Sequence, residues 1–422
     1  MNSLSKDQKG KASYVVFLIF FYFFIFRDYL EDVIPVFGYV DECFALLAVP
    51  IVVFWFFNRN GRNEGKKSPY FAYEVTVFIC LFIFVVVGLI SSLIYQYQPF
   101  LSVALPDAFL CVKYWLSMIT GAFLFSSLSL AQYGNRIYHH VQFVTILYFV
   151  LFIVDRIFDI WPKYERRGLL SNQLFYSHEI VLCGCCVFLI VVLLMVKEYA
   201  PKYWIWLLLL LLMISTTLKT KSLCTAVVIF VICAIVFCFR KQIKTWMILI
   251  IAPIVLAIAW PRIYTFFIGS ERTEKARYLF YTLAPELANE RFPLGCGFGT
   301  FASALSGSHY SPLYAMYGMD QVKGLTQENP SFVSDTFWPM ILGQTGWIGL
   351  VCYIVVVVAL FLVIQKLWKV NTSFYAAALC GLAYELIAST AEAAFVHPLA
   401  IPIAAVMGYM IHKSAVQDNG TT

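Results

Sequence analysis

Charge of either sign is scarce in this sequence. Only 13% of its 422 residues are Asp, Glu, Lys or Arg, about half the share of roughly 25% found in soluble domains. Apolar residues reach 61%, of which many are aromatic, and mean hydropathy is +0.79. So few charges cannot coat a soluble surface of 48.2 kDa. That excludes a cytosolic enzyme, a secreted disulfide scaffold and a nucleic-acid binder. The chain reads as an all-α polytopic membrane protein forming a single integral membrane domain. Its net charge of +6 is modest, so where the charges lie matters more than their sum.

Other absences narrow the field further. There is no HExxH, GxSxG, Walker loop or DxD signature, so neither metal-assisted hydrolysis nor a cytosolic nucleotide-sugar donor is supported, and no cofactor is expected. No repeat unit stands out, and the two halves do not mirror each other. Ten of the twelve cysteines sit in apolar runs, where Cys acts as a small hydrophobe. Cys43 lies at a helix mouth and Cys296 in a long loop, which gives no disulfide framework. Cys183, Cys185 and Cys186 outline a metal motif, but no second Cys/His pair follows at zinc spacing, so packing is the better reading. The first apolar run, Tyr14 to Phe26, leads into Arg27-Asp28 without a small-residue cleavage site and is expected to stay as an anchor.

A spanning helix needs about 20 mostly apolar residues. Twelve stretches qualify: 12–30, 40–58, 73–96, 107–128, 137–157, 177–196, 203–218, 221–239, 244–261, 336–365, 373–391 and 396–412. Basic residues orient them. With the N-terminus inside, inner segments carry sixteen Lys and Arg, among them Lys9, Arg59, Arg62, Lys66, Lys67, Arg136, Arg240 and Lys366. Short outer loops carry seven: Arg27, Arg156, Lys163, Arg166, Arg167, Lys219 and Lys221. By the positive-inside rule both termini are cytoplasmic, and the long segment 262–335 is extracytoplasmic.

The outer loops are the distinctive ones. Segment 262–335 is roughly a sixth of the chain, and structureless loops of this length are usually functional. It carries an amphipathic stretch, Lys275 to Leu287, expected in the membrane interface or re-entering the bundle. It also carries a glycine run, Pro293-Leu-Gly-Cys-Gly-Phe-Gly299. GxGxG here follows no strand, so a tight turn with close backbone approach is favoured over a phosphate loop. An earlier loop reads Arg166-Arg167-Gly168 and reaches His178-Glu179 at the mouth of the sixth stretch. Outer arginines run against the orientation bias. They are either interfacial residues that snorkel or pair with Glu165, or an anion site, because guanidinium forks match phosphate oxygens. Arg166, Arg167, Lys219, Lys221, Arg277 and Lys113 map to one outer depth, where a lipid-linked phosphate would sit.

Lys113 lies six residues into its stretch, roughly 9 Å below the outer end. It either snorkels or acts, with Glu385 and Glu392 as candidate partners. Asp41-Glu42, Asp107 and Asp155 mark outer helix ends as local caps or charge pairs.

The residues of the late outer segment form a pattern. It runs Arg277-x15-Pro293-Leu-Gly-Cys-Gly-Phe-Gly-Thr-Phe-Ala-Ser303, then Tyr310-Ser-Pro-Leu-Tyr314, Ser334-Asp335-Thr-Phe-Trp-Pro339 and Gly343-Gln-Thr-Gly346-Trp-Ile-Gly349. With Arg167-Gly168 and Lys219-Thr-Lys221, this resembles the Wzy-type polymerases, the O-antigen and capsular polysaccharide polymerases of the O-antigen ligase superfamily. The likeness covers the overall topology, and its specific part is residues 272–350. It implies a bacterial cytoplasmic (inner) membrane protein that moves a growing glycan from undecaprenyl pyrophosphate to the non-reducing end of a new lipid-linked repeat unit. The partners implied are those undecaprenyl-pyrophosphate-linked glycans, membrane lipid, and the chain-length regulator and flippase of the same pathway; no metal or nucleotide is implied. Arg277 and Asp335 become the candidate catalytic residues. Arg166, Arg167, His178, Lys113, Lys219, Lys221, Tyr310 and Glu392 become the candidate binding residues.

Related ligases carry His-Asn eleven residues before the glycine of a Gly-x-x-Gly-Leu turn. The same count back from Gly346 lands on Asp335. An acid there favours polymerase over ligase and makes Asp335 a candidate general base. Ser-Asp before an apolar run is equally a helix N-cap. His309 and Glu328 are weaker alternatives. A lipid-linked oligosaccharide flippase would place polar groups near the midplane between repeats, and a simple scaffold would leave the long outer segment without a task.

Overall fold

Helix covers each of the twelve apolar stretches, because an apolar environment forces every backbone polar group to be satisfied within its own segment. The computed structural model describes residues 6–58 and 70–421; Arg59, Arg62, Lys66 and Lys67 of the orientation count lie outside the described residues. In chain order the helices are α1 (Lys6–Val33), α2 (Val40–Leu46), α3 (Ala48–Asn58), α4 (Phe71–Tyr95), α5 (Leu105–Leu124), α6 (Leu130–Phe158), α7 (Glu179–Met195), α8 (Tyr203–Thr216), α9 (Thr220–Cys233) and α10 (Thr245–Ile263). The long segment then adds α11 (Ala276–Glu290), α12 (Ala304–Ser308) and α13 (Pro312–Met316), before α14 (Trp338–Val370), α15 (Thr372–Ala388) and α16 (Ala400–Thr421). Among the described residues the only strands are β1 (Glu165–Arg166) and β2 (Leu169–Leu170), a two-stranded hairpin turning at Arg167-Gly168. The stretch 40–58 is divided at Leu47 into α2 and α3.

Among the described residues seven helical segments are long and apolar enough to cross a membrane, and Glu179–Met195, Tyr203–Thr216, Ala252–Ile268 and Thr372–Ala388 are shorter apolar helices. The protein is an all-α membrane protein. Its periphery carries the apolar side chains that a soluble bundle would hide. On α6, Phe143, Ile146, Val150, Ile153 and Ile157 are all more than half exposed except Ile146, at 50%; their three- and four-residue spacing makes one lipid-facing stripe. The interior belongs to α7, apolar all round and buried along nearly its whole length between α8 and α15. Helices α5 and α16 approach closely. A Cβ on Gly121 would lie 2.2 Å from the Ala405 carbonyl, and one on Gly408 would lie 2.0 Å from that of Met118. Small residues of this kind let membrane helices pack backbone to backbone.

Loops assigned to one face meet one another. Ser177 N donates to Asp28 at 2.7 Å, Gln98 to the His309 carbonyl at 2.7 Å, and Arg291 to Tyr97 at 3.1 Å. At the opposite end Tyr138 bonds the Pro201 carbonyl and Gln242 that of Gln365. The alternation of helix direction therefore gathers the arginine-bearing loops and the long segment at one end of the bundle.

Candidate functional site

The long segment is stitched to the bundle through its glycine run. Cys296 N donates to the Gly343 carbonyl at 2.8 Å and Gly297 N to that of Gln344 at 2.9 Å. Phe298 N donates to Ser92 Oγ at 2.9 Å and Gly299 N to Asp107 Oδ2 at 2.8 Å. Four consecutive amides, Cys296 to Gly299, are spent on protein acceptors, which makes the run a close-approach turn. The acceptors on α14 are exposed by a break at Gly346, whose φ of 65° and ψ of −168° are open to glycine. A Cβ there would lie 2.6 Å from the Leu294 carbonyl. The amphipathic stretch forms α11 and packs on α14 through Phe280, Ala284 and Leu287.

This packing brings the first turn of α11 beside the start of α14. Arg277 Nη2 lies 3.1 Å from Asp335 Oδ2 and donates to the Ala391 carbonyl at 3.1 Å. Its guanidinium sits 4.6 Å from the centre of the Phe266 ring, and its Nε is buried without a partner. Asp335 does not cap α14: the N-cap position is Phe337, with no side-chain capping bond. The cap reading is thereby corrected; Pro339 near the helix start and Phe337 place the first turn two residues later than Ser334-Asp335 predicts. Burial pushes the Asp335 carboxyl above its ordinary range, against the pull of Arg277 and Lys221 and with a push from Glu392. Lys221, in the first turn of α9, forms an ion pair with Glu392. Burial would raise Glu392, but Lys221 and His397 hold it below its ordinary value.

A second cluster surrounds Glu179, the first residue of α7, whose side chain is fully buried. Its Oε1 accepts from Arg166 Nε at 3.0 Å and from Ser171 Oγ at 3.1 Å. Its Oε2 lies 3.2 Å from Lys219 Nζ and 3.5 Å from His178 Nδ1. Lys219 Nζ is also 2.9 Å from His178 Nδ1. Burial pushes the Lys219 ammonium down to about 8, against the pull of Glu179. Burial and the Lys219 charge likewise lower His178. Arg166 thus pairs with Glu179 rather than Glu165. Arg167, held at φ 57° by the hairpin turn, reaches only a neutral hydroxyl, that of Thr220, at 3.1 Å.

Beside this second cluster lies a cavity of about 280 Å³ lined by Glu165, Arg166, Arg167, Leu218, Thr220, Pro261 and Arg262. Three guanidiniums face one carboxylate there. Arg262 also lies within electrostatic reach of Arg277, and among the described residues it has no hydrogen-bond or ion-pair partner of its own. Arg166 is matched by Glu179, but Arg167 and Arg262 have no acidic partner among the described residues, and a free guanidinium fork has the geometry to take a phosphate bidentately. Sequence reading missed Arg262: at the end of an apolar run it looks like any snorkelling flank residue, and only the fold turns it toward the hairpin.

Two predicted members fall elsewhere. Lys113 is buried on α5 and bonds Asp41 at 2.6 Å and Glu42 at 3.1 Å, with Arg27 adding a contact to Asp41 at 3.3 Å. Its partners are therefore these acids, not Glu385 or Glu392, and it stands apart from the outer arginines: α2 packs on α5 and brings the acids to it. Tyr310 donates to the Leu325 carbonyl at 2.6 Å and lines a separate cavity with Glu328. Asp107 pins the glycine run, and Asp155 accepts from the amides of Ile160 and Trp161 as a local cap. Among the described residues no group of three or more His, Cys, Asp or Glu is placed to hold a metal ion. In comparisons with known proteins, no family model matches the chain and no curated protein matches it.

Proposed function

We propose that this protein is a glycan polymerase of the inner membrane of bacteria, acting on lipid-pyrophosphate-linked repeat units at the outer face through twelve spans and the segment 262–335. The observation that carries this reading is the juxtaposition of an acid with a set of under-compensated guanidiniums: Asp335 on Arg277, and Arg277 within reach of Arg262 beside Arg166 and Arg167. An activated pyrophosphate donor needs little else. The acceptor hydroxyl loses its proton to Asp335 as its oxygen bonds the donor's anomeric carbon. The anomeric carbon–oxygen bond breaks, and its electron pair leaves with the lipid pyrophosphate, where the arginines stabilise the charge.

Burial suits Asp335 to the task, because a carboxyl held above its ordinary range is a stronger base. An acid rather than histidine at this position favours polymerase over the ligase reading. In cells, a gel of surface glycan tests the proposal: a ladder of repeat numbers is expected with the wild-type chain and single repeats without it. A ladder that persists after deletion would overturn the assignment.

A further inference from the structure

The long segment holds a second cavity, opposite in charge to the arginine cavity. It measures about 470 Å³ and its lining includes Tyr310, Ser311, Asp320, Thr326, Gln327 and Glu328, with no Lys or Arg. Its walls are fixed by the chain itself. Ser311 accepts from Leu313 N at 3.4 Å, Tyr310 ties α13 to the 320–328 loop through Leu325, and Asn329 N bonds Thr326 Oγ1 at 3.1 Å. The same loop runs on through Phe332 N to the Gly324 carbonyl, 2.9 Å, and Asp335 N to that of Phe332, 3.3 Å. Glu328 precedes Asp335 by seven residues along this folded turn.

We propose that this cavity is the subsite for the sugar at the non-reducing end of the acceptor glycan, and that it selects a neutral or amino sugar over an acidic one. The proposal rests on the glycan-transfer reading and adds the acceptor's chemical class to it. Carboxylates accept strong hydrogen bonds from hydroxyls, side-chain amides both donate and accept, and a tyrosine ring offers an apolar face: together they match a ring bearing alternating hydroxyls and C–H groups. The volume falls within the roughly 300–1,000 Å³ of small-molecule sites. It far exceeds what a single cation with oxygen ligands at about 2.3–2.6 Å would need. Two carboxylates and no cation repel a uronic acid and equally repel the acceptor's own pyrophosphate. The two cavities therefore divide the substrates: anionic lipid phosphate to the arginines, uncharged glycan terminus to the acids. A preformed wall lowers the ordering cost of binding.

The test uses the full chain in detergent micelles and two independent titrations. The first adds methyl glycosides: a panel of neutral hexoses, N-acetylhexosamines and amino-hexoses, and the methyl glycoside of glucuronic acid. The second adds inorganic pyrophosphate. Saturation-transfer NMR is expected to show binding of at least one neutral or amino glycoside and none of the glucuronide. Asp320→Asn combined with Glu328→Gln should weaken the bound glycoside by about tenfold while leaving pyrophosphate affinity unchanged. Gln327→Ala, which alters no charge, should weaken the same glycoside. Failure of every neutral and amino glycoside to bind, or binding unaffected by both variants, would overturn the subsite even if pyrophosphate binds. Calcium binding that displaces the glycoside signal and is lost in the acidic-residue variant would make the cavity a cation site and overturn it too. Glycoside binding without any arginine-dependent pyrophosphate binding would instead sink the glycan-transfer reading and leave a sugar site of another kind.

Discussion

Arg277 Nη2 is shared between the Oδ2 of Asp335, 58 residues away in sequence, and the carbonyl of Ala391, each at 3.1 Å. One nitrogen thus holds the acid and the chain after α15 together, while Nε stays buried without a partner. A guanidinium satisfied on one edge only still has donors for a developing phosphate charge.

The base assignment makes a specific prediction for one substitution at Asp335. Asp335→Asn keeps the shape but cannot take a proton, so polymerisation should fall on the order of 10²–10⁴-fold, with normal protein amount. Because burial raises the Asp335 carboxyl, its ionised form is lost as pH falls through a value above the ordinary carboxylate range, and the rate should decline there. The sign for stability is opposite: a raised carboxyl favours the folded state at low pH and loses that contribution as pH rises, so Asp335→Asn should not unfold earlier at neutral pH. A ladder like wild type from the Asn variant would remove Asp335 from the chemistry.

Arg277→Ala should abolish polymer while the protein remains in the membrane. Arg277→Lys should rescue poorly, since an ammonium lacks the planar fork. Arg262→Ala is expected to weaken pyrophosphate binding by about tenfold or more, the size of a charge-assisted bond. It should do so without loss of stability, because no partner is left uncompensated. A gel of surface glycan at matched protein level checks the Arg277 variants and isothermal titration checks Arg262→Ala; unchanged affinity there would take Arg262 out of the proposed anion site.

Lys219 supplies a pH signature. Its ammonium is pushed down to about 8, so it is charged below that pH and neutral above. Affinity for a pyrophosphate diester, whose own charge is constant in this range, should decline as pH rises through about 8. Lys219→Met should lower affinity at pH 7 and flatten the profile. A profile unchanged by this substitution would show that Lys219 serves Glu179 alone.

Lys113 is expected to behave as a structural residue. With its side chain 2% exposed and Asp41 fully buried, Lys113→Met leaves that carboxylate only the longer Arg27 contact at 3.3 Å, so the loss approaches the roughly 3–5 kcal/mol of a broken buried pair from below. Thermal unfolding in micelles should show the loss, and Lys113→Met with Asp41→Asn should recover much of it. Wild-type stability with no polymer would return Lys113 to the binding site.

Much of this was legible in the sequence, and the omissions have physical causes. Apolar runs specify helices because lipid demands internal hydrogen bonding, so the positions of the helical stretches could be read directly. The glycine run was legible as a close-approach turn, since GxGxG without a strand has few other uses. Depth along a helix was legible too, which placed Arg166, Arg167, Lys219, Lys221, Arg277 and Lys113 near one level. Which helices are neighbours was not: Lys113 shares its depth with Glu385, but α2 brings Asp41 to it first. Cap and base were indistinguishable at Asp335, because the start of α14 is set by Phe337 and Pro339 and the acid's partner is an arginine 58 residues upstream.

The central claim is transfer of glycan between lipid-linked units, and the most direct measurement is reconstitution. Purified protein in bacterial-lipid vesicles is supplied with undecaprenyl-pyrophosphate-linked repeat units, with no nucleotide or added metal. The account predicts a ladder of longer lipid-linked glycans and release of one undecaprenyl pyrophosphate per added repeat, both lost in Arg277→Ala and Asp335→Asn. Movement of intact repeat units across the vesicle membrane with no new glycosidic bond would contradict it and make the protein a transporter.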